Sequence, residues 1–183
     1  KALRLSIGPA GEPLAIYIAS LSPRMLALTG EVADGWLGTS FVPEGAQSSM
    51  DALAGGAART GRTLADLDLC QGAEVAFARD EAELQAMVQG RKAGLAFSLG
   101  GMGSASTNFY NEAYARQGFA EVAAESQALW LAGRRDAAAS AISDEMVLAT
   151  TLLGSESQVA DRLRAWADVG IDHVRLYPAG ATL

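Results

Sequence analysis

The sequence has very few of the residues that build metal sites, disulfides and nucleic-acid surfaces. Its 183 residues include one cysteine, Cys70, and one histidine, His173. A single cysteine excludes an intramolecular disulfide, and the sequence has no zinc-ligand spacing, so we predict no metal site. The 14 Lys and Arg residues are scattered, and 21 Asp and Glu residues bring the formal charge to −7. We therefore expect no nucleic-acid partner and no anionic membrane partner.

Long apolar runs are also missing. No segment approaches the roughly 18 apolar residues that span a membrane, and we recognise no signal peptide. These observations predict a cytoplasmic protein. Half of the residues are hydrophobic, which is enough to build one large domain or part of one. The chain begins with Lys1 rather than Met, so we expect its true start to lie upstream.

Short β-branched segments alternate with longer segments of helical period, which is the α/β pattern. Four strands are predicted, at residues 16–18, 36–37, 67–78 and 171–177. Crossovers join all of them, so the sheet should be parallel. Its architecture is either a small doubly wound sheet or half of a (β/α)8 barrel, whose complete form needs about 250 residues.

The first strand leads into a helix whose start suits an anion. Ser22 and Pro23 predict an N-cap followed by proline at the first helical position. The N–H groups and the dipole of such a helix start favour a phosphate or a carboxylate. Met25, Leu28 and Val32 then recur at helical spacing, which indicates an apolar face on this helix.

The third and fourth predicted strands are separated by about 90 residues, far more than a loop. Asp80 and Glu83 have capping-box spacing at the start of a helix, and the glycine-rich run 100–103 predicts the turn that ends it. A helical stretch from about Asn108 to Leu131 follows, interrupted at Gly118. Later, Ser155 and Gln158 form a second capping box, which starts the last helix.

His173 and Cys70 do not have the positions expected of catalytic residues. His173 opens the last strand, whereas the chemistry of barrel enzymes lies at the carboxyl ends of strands. Cys70 lies near the start of the third strand, so we interpret it as a buried thiol rather than a nucleophile. Tyr177 lies at the more favourable end of its strand.

Several motifs occur in an order that resembles a known family. They are Ile16-Tyr-Ile-Ala-Ser-Leu-Ser-Pro, Thr29-Gly-Glu-Val-Ala-Asp-Gly-Trp, Gly100-Gly-Met-Gly, Asn108-Phe-Tyr, Gly118-Phe, and the segment from Gly154 to Val174. Together they resemble the luciferase-like monooxygenase superfamily. The closest likeness is to its coenzyme F420-dependent branch, the relatives of methylenetetrahydromethanopterin reductase.

The resemblance implies a (β/α)8 TIM barrel of which this chain supplies strands five to eight. Residues 1–14 would then connect to the preceding part, 15–79 would hold strands five to seven, 80–153 would form a helical insertion after strand seven, and 154–183 would hold the last helix and strand eight. In this family, strands one to four carry the platform for the cofactor ring and most catalytic residues. The N-terminal half of the same barrel is therefore an expected partner, and no catalytic residue is assigned here.

The resemblance also implies positions for the cofactor. The loop after strand five holds the cofactor phosphate in this family, and strand six and its loop run beside the phosphate and ribityl chain. The matching residues here are Ala19, Ser20, Leu21, Ser22, Gly35, Trp36 and Thr39. A segment of the insertion near the pocket mouth predicts substrate-pocket residues, namely Gly101, Met102 and Tyr110.

The function expected from this resemblance is hydride transfer between coenzyme F420 and a small organic substrate, which we expect to occur in a homodimer. Two alternatives stay open. One is an FMN-dependent monooxygenase of the same fold, because both cofactors carry a phosphate at the same loop. The other is a half-barrel with no catalytic activity that serves in binding or assembly. The sequence does not identify the substrate.

Overall fold

The computed structural model describes Gly11 and residues 14–178, so the predicted connecting segment 1–14 lies almost entirely outside the described residues. The strands are β1 (Tyr17–Ala19), β2 (Gly35–Gly38), β3 (Asp68–Phe77), β4 (Leu152–Gly154) and β5 (His173–Pro178). The helices are α1 (Pro23–Val32), α2 (Gln47–Ala58), α3 (Glu81–Gly101), α4 (Phe109–Tyr114), α5 (Ala120–Leu131), α6 (Arg135–Ser140), α7 (Asp144–Thr150) and α8 (Glu156–Asp168). A search of these residues finds no helix with the length and apolarity of a membrane span.

The five strands form one sheet in which each recorded pair is parallel, which confirms the predicted α/β class. Strand β3 is central. Its start pairs with β2, its residues 70–75 pair with β5, and its end pairs with β4. The prediction of four strands is wrong by one, because β4 was missed. This strand has three residues, and all of them are buried, so its sequence has no alternation that could reveal it.

One hydrophobic core lies between the sheet and helices α1, α2 and α8, and we call these elements together the sheet layer. Trp36, Phe41 and Trp166 pack edge to face at centroid distances of 5.8 and 6.2 Å. Helices α1 and α2 cross at two glycines. A Cβ added at Gly30 would overlap the carbonyl oxygen of Leu53, and one at Gly56 would overlap that of Ala27, so both glycines permit the close approach.

Helices α3 to α7, residues 81–150, form what we call the helical region. Their apolar side chains build a second core that includes Val88, Leu99 and Met146, each fully buried. The predicted end of this helix in the glycine-rich run 100–103 agrees with the structure, because α3 ends at Gly101 and Met102 is its C-cap. A Cβ at Gly100 would meet the ring of Trp130, so this glycine serves helix packing rather than a turn.

The predicted helix caps are mostly present. Ser155 and Gln158 make both hydrogen bonds of a capping box, and the Ser22 side chain accepts a bond from the Met25 N–H at 3.4 Å. The capping box at Asp80 is only half formed. Its side chain accepts from the N–H of Glu83 at 2.8 Å, but the Glu83 carboxylate accepts from Arg79 instead of Asp80.

The apolar face predicted for α1 exists but is not covered by the described residues. Met25 and Leu28 are 40% exposed and Val32 is 59% exposed, whereas Leu26 and Thr29 on the other side of the helix are buried. The helical spacing was therefore predicted correctly. The spacing did not show whether the apolar face of α1 is directed toward the sheet or away from it. Exposed apolar residues at such a density mark a surface that meets another partner or segment.

Candidate functional site

Two loops lie side by side at the carboxyl edge of the sheet. Strands β1 and β2 are parallel and adjacent, with Ala19 paired to Leu37. The segments that follow them, residues 20–22 and 39–42, therefore leave the sheet at the same edge. Ligands of open α/β sheets bind at this edge. We call these segments loop 20–22 and loop 39–42.

Loop 20–22 is fixed from below by the helix and strand that flank it. The Ser20 hydroxyl lies 2.8 Å from that of Thr29, which itself donates to the Met25 carbonyl, so Ser20 is the donor of this pair. The indole N–H of Trp36 donates to the Ser20 carbonyl at 3.0 Å. The proton of the Ser20 hydroxyl is therefore engaged inside the protein, and the contribution of this residue to a ligand would come from its backbone.

The start of α1 presents hydrogen-bond donors to the space beyond the loop. Pro23 has no N–H, and the Met25 N–H is bound by the Ser22 side chain. Within the described residues, the N–H groups of Leu21, Ser22 and Arg24 make no recorded backbone hydrogen bond. Unpaired N–H groups at the positive end of a helix dipole suit an anion such as a phosphate. The prediction of an anion-compatible helix start agrees with this geometry.

Loop 39–42 has a strained backbone at Ser40. Its φ angle of 52° lies in the left-handed region, and no other described residue except glycine has a positive φ. Such a conformation costs about 1–3 kcal/mol and persists where neighbouring groups enforce it. Here Gln117 enforces it. Its amide nitrogen donates to the Ser40 carbonyl at 2.6 Å, and its amide oxygen accepts from the Val42 N–H at 2.7 Å.

The residue before Gln117 contacts the other loop. The guanidinium of Arg116 donates to the Leu21 carbonyl at 2.9 Å, and another of its nitrogens lies 3.8 Å from the Glu112 carboxylate. Arg116 and Gln117 both belong to a wide π-type turn, Ala115–Phe119, between α4 and α5. The turn depends on Gly118, whose φ of 101° is one that other residues rarely adopt. One turn of the helical region thus holds both loops.

A polar cleft of about 550 Å³ lies beside loop 39–42, between the sheet and α3. Glu74 on β3 and Arg91 on α3 form an ion pair at 2.7 Å in its wall. Tyr114 is buried there, and burial raises its pKa to about 12, opposed by a hydrogen bond with Ser40. The tyrosine hydroxyl is therefore a hydrogen-bond donor at neutral pH. The other residues that line the polar cleft are Thr39, Phe41, Gly72, Gly90, Gly94, Leu95, Thr150 and Thr151.

A larger cleft of about 1040 Å³ lies on the other side of the Gln117 turn. Its walls come from the turn itself, from α7, and from the start of α8. Arg162 lines it and pairs with Glu44. Of the two loops, only Val42 lines this cleft, whereas Thr39, Ser40 and Phe41 all line the polar cleft, so the candidate site is placed at the polar cleft.

The structure brings only some of the predicted residues together. Ala19 to Ser22 and Thr39 lie at the carboxyl edge, as described above. Gly35 opens β2 at the opposite edge, where a Cβ would overlap the Tyr17 ring. Trp36 is 2% exposed in the core, so it supports loop 20–22 through its hydrogen bond to Ser20 and presents no surface to a ligand.

The residues predicted for the substrate pocket line neither of these two clefts. Gly101 packs against Phe97 and Trp130, and Met102 is exposed after the end of α3. Tyr110 lies one helical turn before Tyr114, which does line the polar cleft. The prediction for Gly101, Met102 and Tyr110 therefore stays a prediction without geometric support.

The opposite edge of the sheet carries a small polar cluster. The Asp68 carboxylate accepts a hydrogen bond from the Tyr17 hydroxyl and lies 2.6 Å from Nδ1 of His173. These contacts lower the pKa of Asp68, chiefly through Tyr17, and the bond to Asp68 raises the pKa of His173. His173 is at the start of β5, as predicted. It therefore lies at the edge of the sheet opposite the two loops.

Sequence reasoning missed Arg116, Gln117, Glu74 and Arg91. Arg116 is 95 positions from Leu21, and Gln117 is 77 positions from Ser40. No local period or motif connects residues at such separations, and a lone arginine or glutamine in a helical stretch has the appearance of a solvated surface residue. The only local signal was Gly118, which indicated an interruption at this turn.

Comparison with known proteins assigns the family. Residues 1–173 match the sequence profile of the luciferase-like monooxygenases. The chain belongs to this family. It is also 34% identical over 173 residues to Rv3520c of Mycobacterium tuberculosis, which carries the name of a coenzyme F420-dependent oxidoreductase. That alignment covers 93% of this chain and 49% of the relative. The chain thus spans about half the length of the relatives it matches.

Two solved structures of F420-dependent enzymes share the fold. The tetrahydromethanopterin reductase of Methanopyrus kandleri superposes with a TM-score of 0.66 at 20% identity, over 91% of this chain and 45% of that chain. An F420-dependent secondary alcohol dehydrogenase, solved with an F420–acetone adduct, gives 0.61 at 12% identity, over 92% and 44%. Rv3520c is named for coenzyme F420 and both solved structures are of F420-dependent enzymes, so the predicted likeness to this branch of the family is confirmed.

Proposed function

We propose that the protein containing this chain is a coenzyme F420-dependent oxidoreductase, and that loops 20–22 and 39–42 hold the phosphate end of the cofactor. Similarity to a relative named for coenzyme F420, Rv3520c, within the luciferase-like monooxygenase family carries the proposal. The bound cofactor would supply hydride transfer at C5 of the deazaflavin, toward or from a small organic substrate. The role of this chain is to anchor the phosphate end of the cofactor and to orient the cofactor.

The groups present at the two loops fit a phosphate. A phosphate needs several hydrogen-bond donors and a nearby positive charge. The N–H groups of Leu21, Ser22 and Arg24 provide donors at the positive end of the α1 dipole, and the exposed Thr39 hydroxyl lies on the neighbouring loop. The small side chain of Ala19 leaves the strand end open to a ligand. The polar cleft beside Ser40 is then the space available for the remainder of the cofactor or for the substrate.

The catalytic acid or base residues belong, in this proposal, to the preceding half of a (β/α)8 barrel, strands one to four. The chain would supply strands five to eight, with the helical region inserted after strand seven. Two observations favour this arrangement. The alignment covers about half of the relative Rv3520c. Exposed apolar residues lie just before β1 and on α1, including Leu14 and Ile16 at 79% and 63% exposure. We also propose a homodimer, which size-exclusion chromatography with light scattering of the full-length protein would test.

Titration of the full-length protein with F420 and, separately, with FMN tests the cofactor. Binding of F420 supports the proposal, and a second titration with reduced F420 and candidate substrates would follow hydride transfer by the loss or gain of deazaflavin absorbance. Binding of FMN alone would favour a flavin monooxygenase. Binding of neither cofactor would overturn the proposed activity and leave a binding or assembly role for this half-barrel.

The split of the barrel has its own test. The chain from Lys1 to Leu183 should aggregate or self-associate when it is prepared alone, since none of its described residues covers the apolar edge. Addition of the preceding half should restore a soluble 1:1 complex. A monomeric, monodisperse chain that unfolds cooperatively by itself would contradict the split-barrel proposal without affecting the assignment of the cofactor.

A further inference from the structure

The turn between α4 and α5 makes contacts that no helix-packing requirement explains. Arg116 and Gln117 are consecutive, yet each reaches a different loop at the carboxyl edge of the sheet. Arg116 donates to Leu21 in loop 20–22, and Gln117 binds Ser40 and Val42 in loop 39–42. A single rigid element therefore sets the distance between the two loops.

Gln117 is built into this turn as a fixed support. It is 7% exposed, and its amide makes three hydrogen bonds of 2.6 to 2.9 Å, including one to the Ala113 carbonyl. The backbone of Gln117 also packs closely against Gly45, which follows loop 39–42. A buried amide with all of these partners satisfied holds one rotamer. The strained Ser40 backbone is the part of the loop that it holds.

Arg116 differs from Gln117 because its side chain is only partly engaged. It is 30% exposed, and among the described residues it makes one hydrogen bond, to Leu21, while the Glu112 carboxylate is beyond hydrogen-bond length at 3.8 Å. A guanidinium has five N–H donors in a planar fork. Donors therefore remain for an acceptor beside loop 20–22, where an anion would meet the start of α1.

We propose that Gln117 is a positioning residue that fixes loop 39–42, and that Arg116 is a cofactor-binding residue whose free guanidinium donors bind the phosphate held by loop 20–22. The inference rests on the proposed function, since the phosphate is that of the bound cofactor. It assigns the helical region a direct part in cofactor binding, through one turn and in addition to any wall that this region forms around a substrate.

The test compares two ligands that differ by the phosphate tail. One is F420, and the other is the deazaflavin nucleoside that ends at the ribityl hydroxyl and has no phosphate. Fluorescence titration of the full-length protein would give a dissociation constant for each. Arg116→Gln should weaken F420 about tenfold, as expected for loss of one charge-assisted hydrogen bond, and should leave the nucleoside unchanged. The difference should shrink at high salt.

Three further variants make the result specific. Arg116→Lys keeps the charge without the fork and should recover part of the F420 affinity. Arg134→Gln removes an exposed arginine elsewhere in the helical region and should change neither constant. Gln117→Glu keeps the acceptor for the Val42 N–H but loses the donor to Ser40, so it should weaken F420 more than the nucleoside. Thermal unfolding of each variant separates these effects from loss of the fold.

Each other outcome has a definite meaning. Equal weakening of both ligands by Arg116→Gln, or weakening of neither, would overturn the inference and leave Arg116 as support for the loop backbone. If the unmodified protein binds F420 and the nucleoside equally well, the phosphate contributes nothing and the inference also fails. If the unmodified protein binds neither F420 nor the nucleoside, the proposed function itself is wrong. This outcome is seen before any variant is measured, so it is distinct from failure of the inference about Arg116 and Gln117.

Discussion

The sheet layer and the helical region bury their apolar side chains to different degrees. In the helical region, Val88, Leu99 and Met146 are fully buried, and its exposed apolar residues are spread over several elements. In the sheet layer, most of the exposed large apolar residues lie in one stretch of sequence, residues 14–32, and the others, Phe77, Leu176 and Tyr177, lie on β3 and β5. The stretch contains Leu14, Ile16, Tyr17, Met25, Leu28 and Val32. The sheet layer therefore has one apolar surface that the described residues leave open, whereas no such concentration occurs among the described residues of the helical region.

This contrast bears on how each region contributes to function. A region with a buried core of its own can position a turn rigidly, which is what Arg116 and Gln117 require. A sheet with an open apolar edge needs a further segment or partner to complete it, and in the proposed barrel that segment would also bring the catalytic residues. Substitutions in both regions should test this difference, and their expected effects decrease in the order given.

The largest effect should come from the closed core of the helical region. Leu99→Ala removes a side chain that is 0% exposed and should lower the free energy of unfolding by about 2–5 kcal/mol, from lost burial plus a cavity. Leu131→Ala is the matched control, because Leu131 is 52% exposed in the same region. Denaturant unfolding of the full-length protein measures both. Equal costs for the two variants would break the comparison.

The next effect concerns the crossing of α1 and α2 in the sheet layer. Gly56→Ala would place a Cβ on the Ala27 carbonyl and should destabilise the fold by about 1–3 kcal/mol. Its neighbour Gly55 has open space at the Cβ position, so Gly55→Ala should instead stabilise α2 by about 0.5–1 kcal/mol. Adjacent alanine substitutions of opposite sign would confirm close packing. Two stabilising substitutions would show that the helices separate at little cost.

A smaller effect is expected from the cluster at the amino edge of the sheet. The hydrogen bond to Asp68 raises the pKa of His173 above the 6.5 of an ordinary histidine, so the charged pair stabilises the fold fully below that pH. This contribution is lost as the pH rises through the folded-state pKa. His173→Gln should therefore remove a decline in stability that begins as the pH rises above the ordinary pKa of histidine. Unchanged pH dependence in this variant would exclude the ion pair as its source.

The same cluster has an acidic counterpart that sharpens this prediction. The pKa of Asp68 is lowered, first by the Tyr17 hydroxyl, so its contribution is present above its unfolded-state pKa and is lost as the pH falls through the folded-state value. Tyr17→Phe should raise the pKa of Asp68 and move the acid loss of stability to higher pH. Because both side chains are partly exposed, the change should be small.

The smallest effect should come from the open edge. Leu28→Ser removes an apolar group that the described residues leave 40% exposed, so without further cover the substitution should cost less than about 0.5 kcal/mol. In the full-length protein the free energy of unfolding should fall by more than this, because the residue would be buried against the preceding half. Denaturant unfolding of the full-length protein measures the change. A near-zero change would mean that the edge stays open.

Local sequence signals predicted much of this fold. The Ser155–Gln158 capping box, the Ser22–Pro23 helix start and the β-branched runs of the longer strands each depend on residues within a few positions, so the sequence predicted them correctly. The sequence did not predict β4 or the packing of Gly100 against Trp130. A three-residue buried strand has no period, and a glycine inside a helix is indistinguishable in sequence from one that ends it.

The sequence by itself determined the parallel α/β class, most element boundaries, and the anion-compatible start of α1, because hydrogen bonds and periodicity over a few residues control them. Only the tertiary structure decided which face of α1 is buried, that Trp36 supports Ser20 from the core, and that Arg116 and Gln117 reach two loops more than 70 positions away. Contacts between distant segments depend on how whole elements pack, and no short stretch of sequence contains that information.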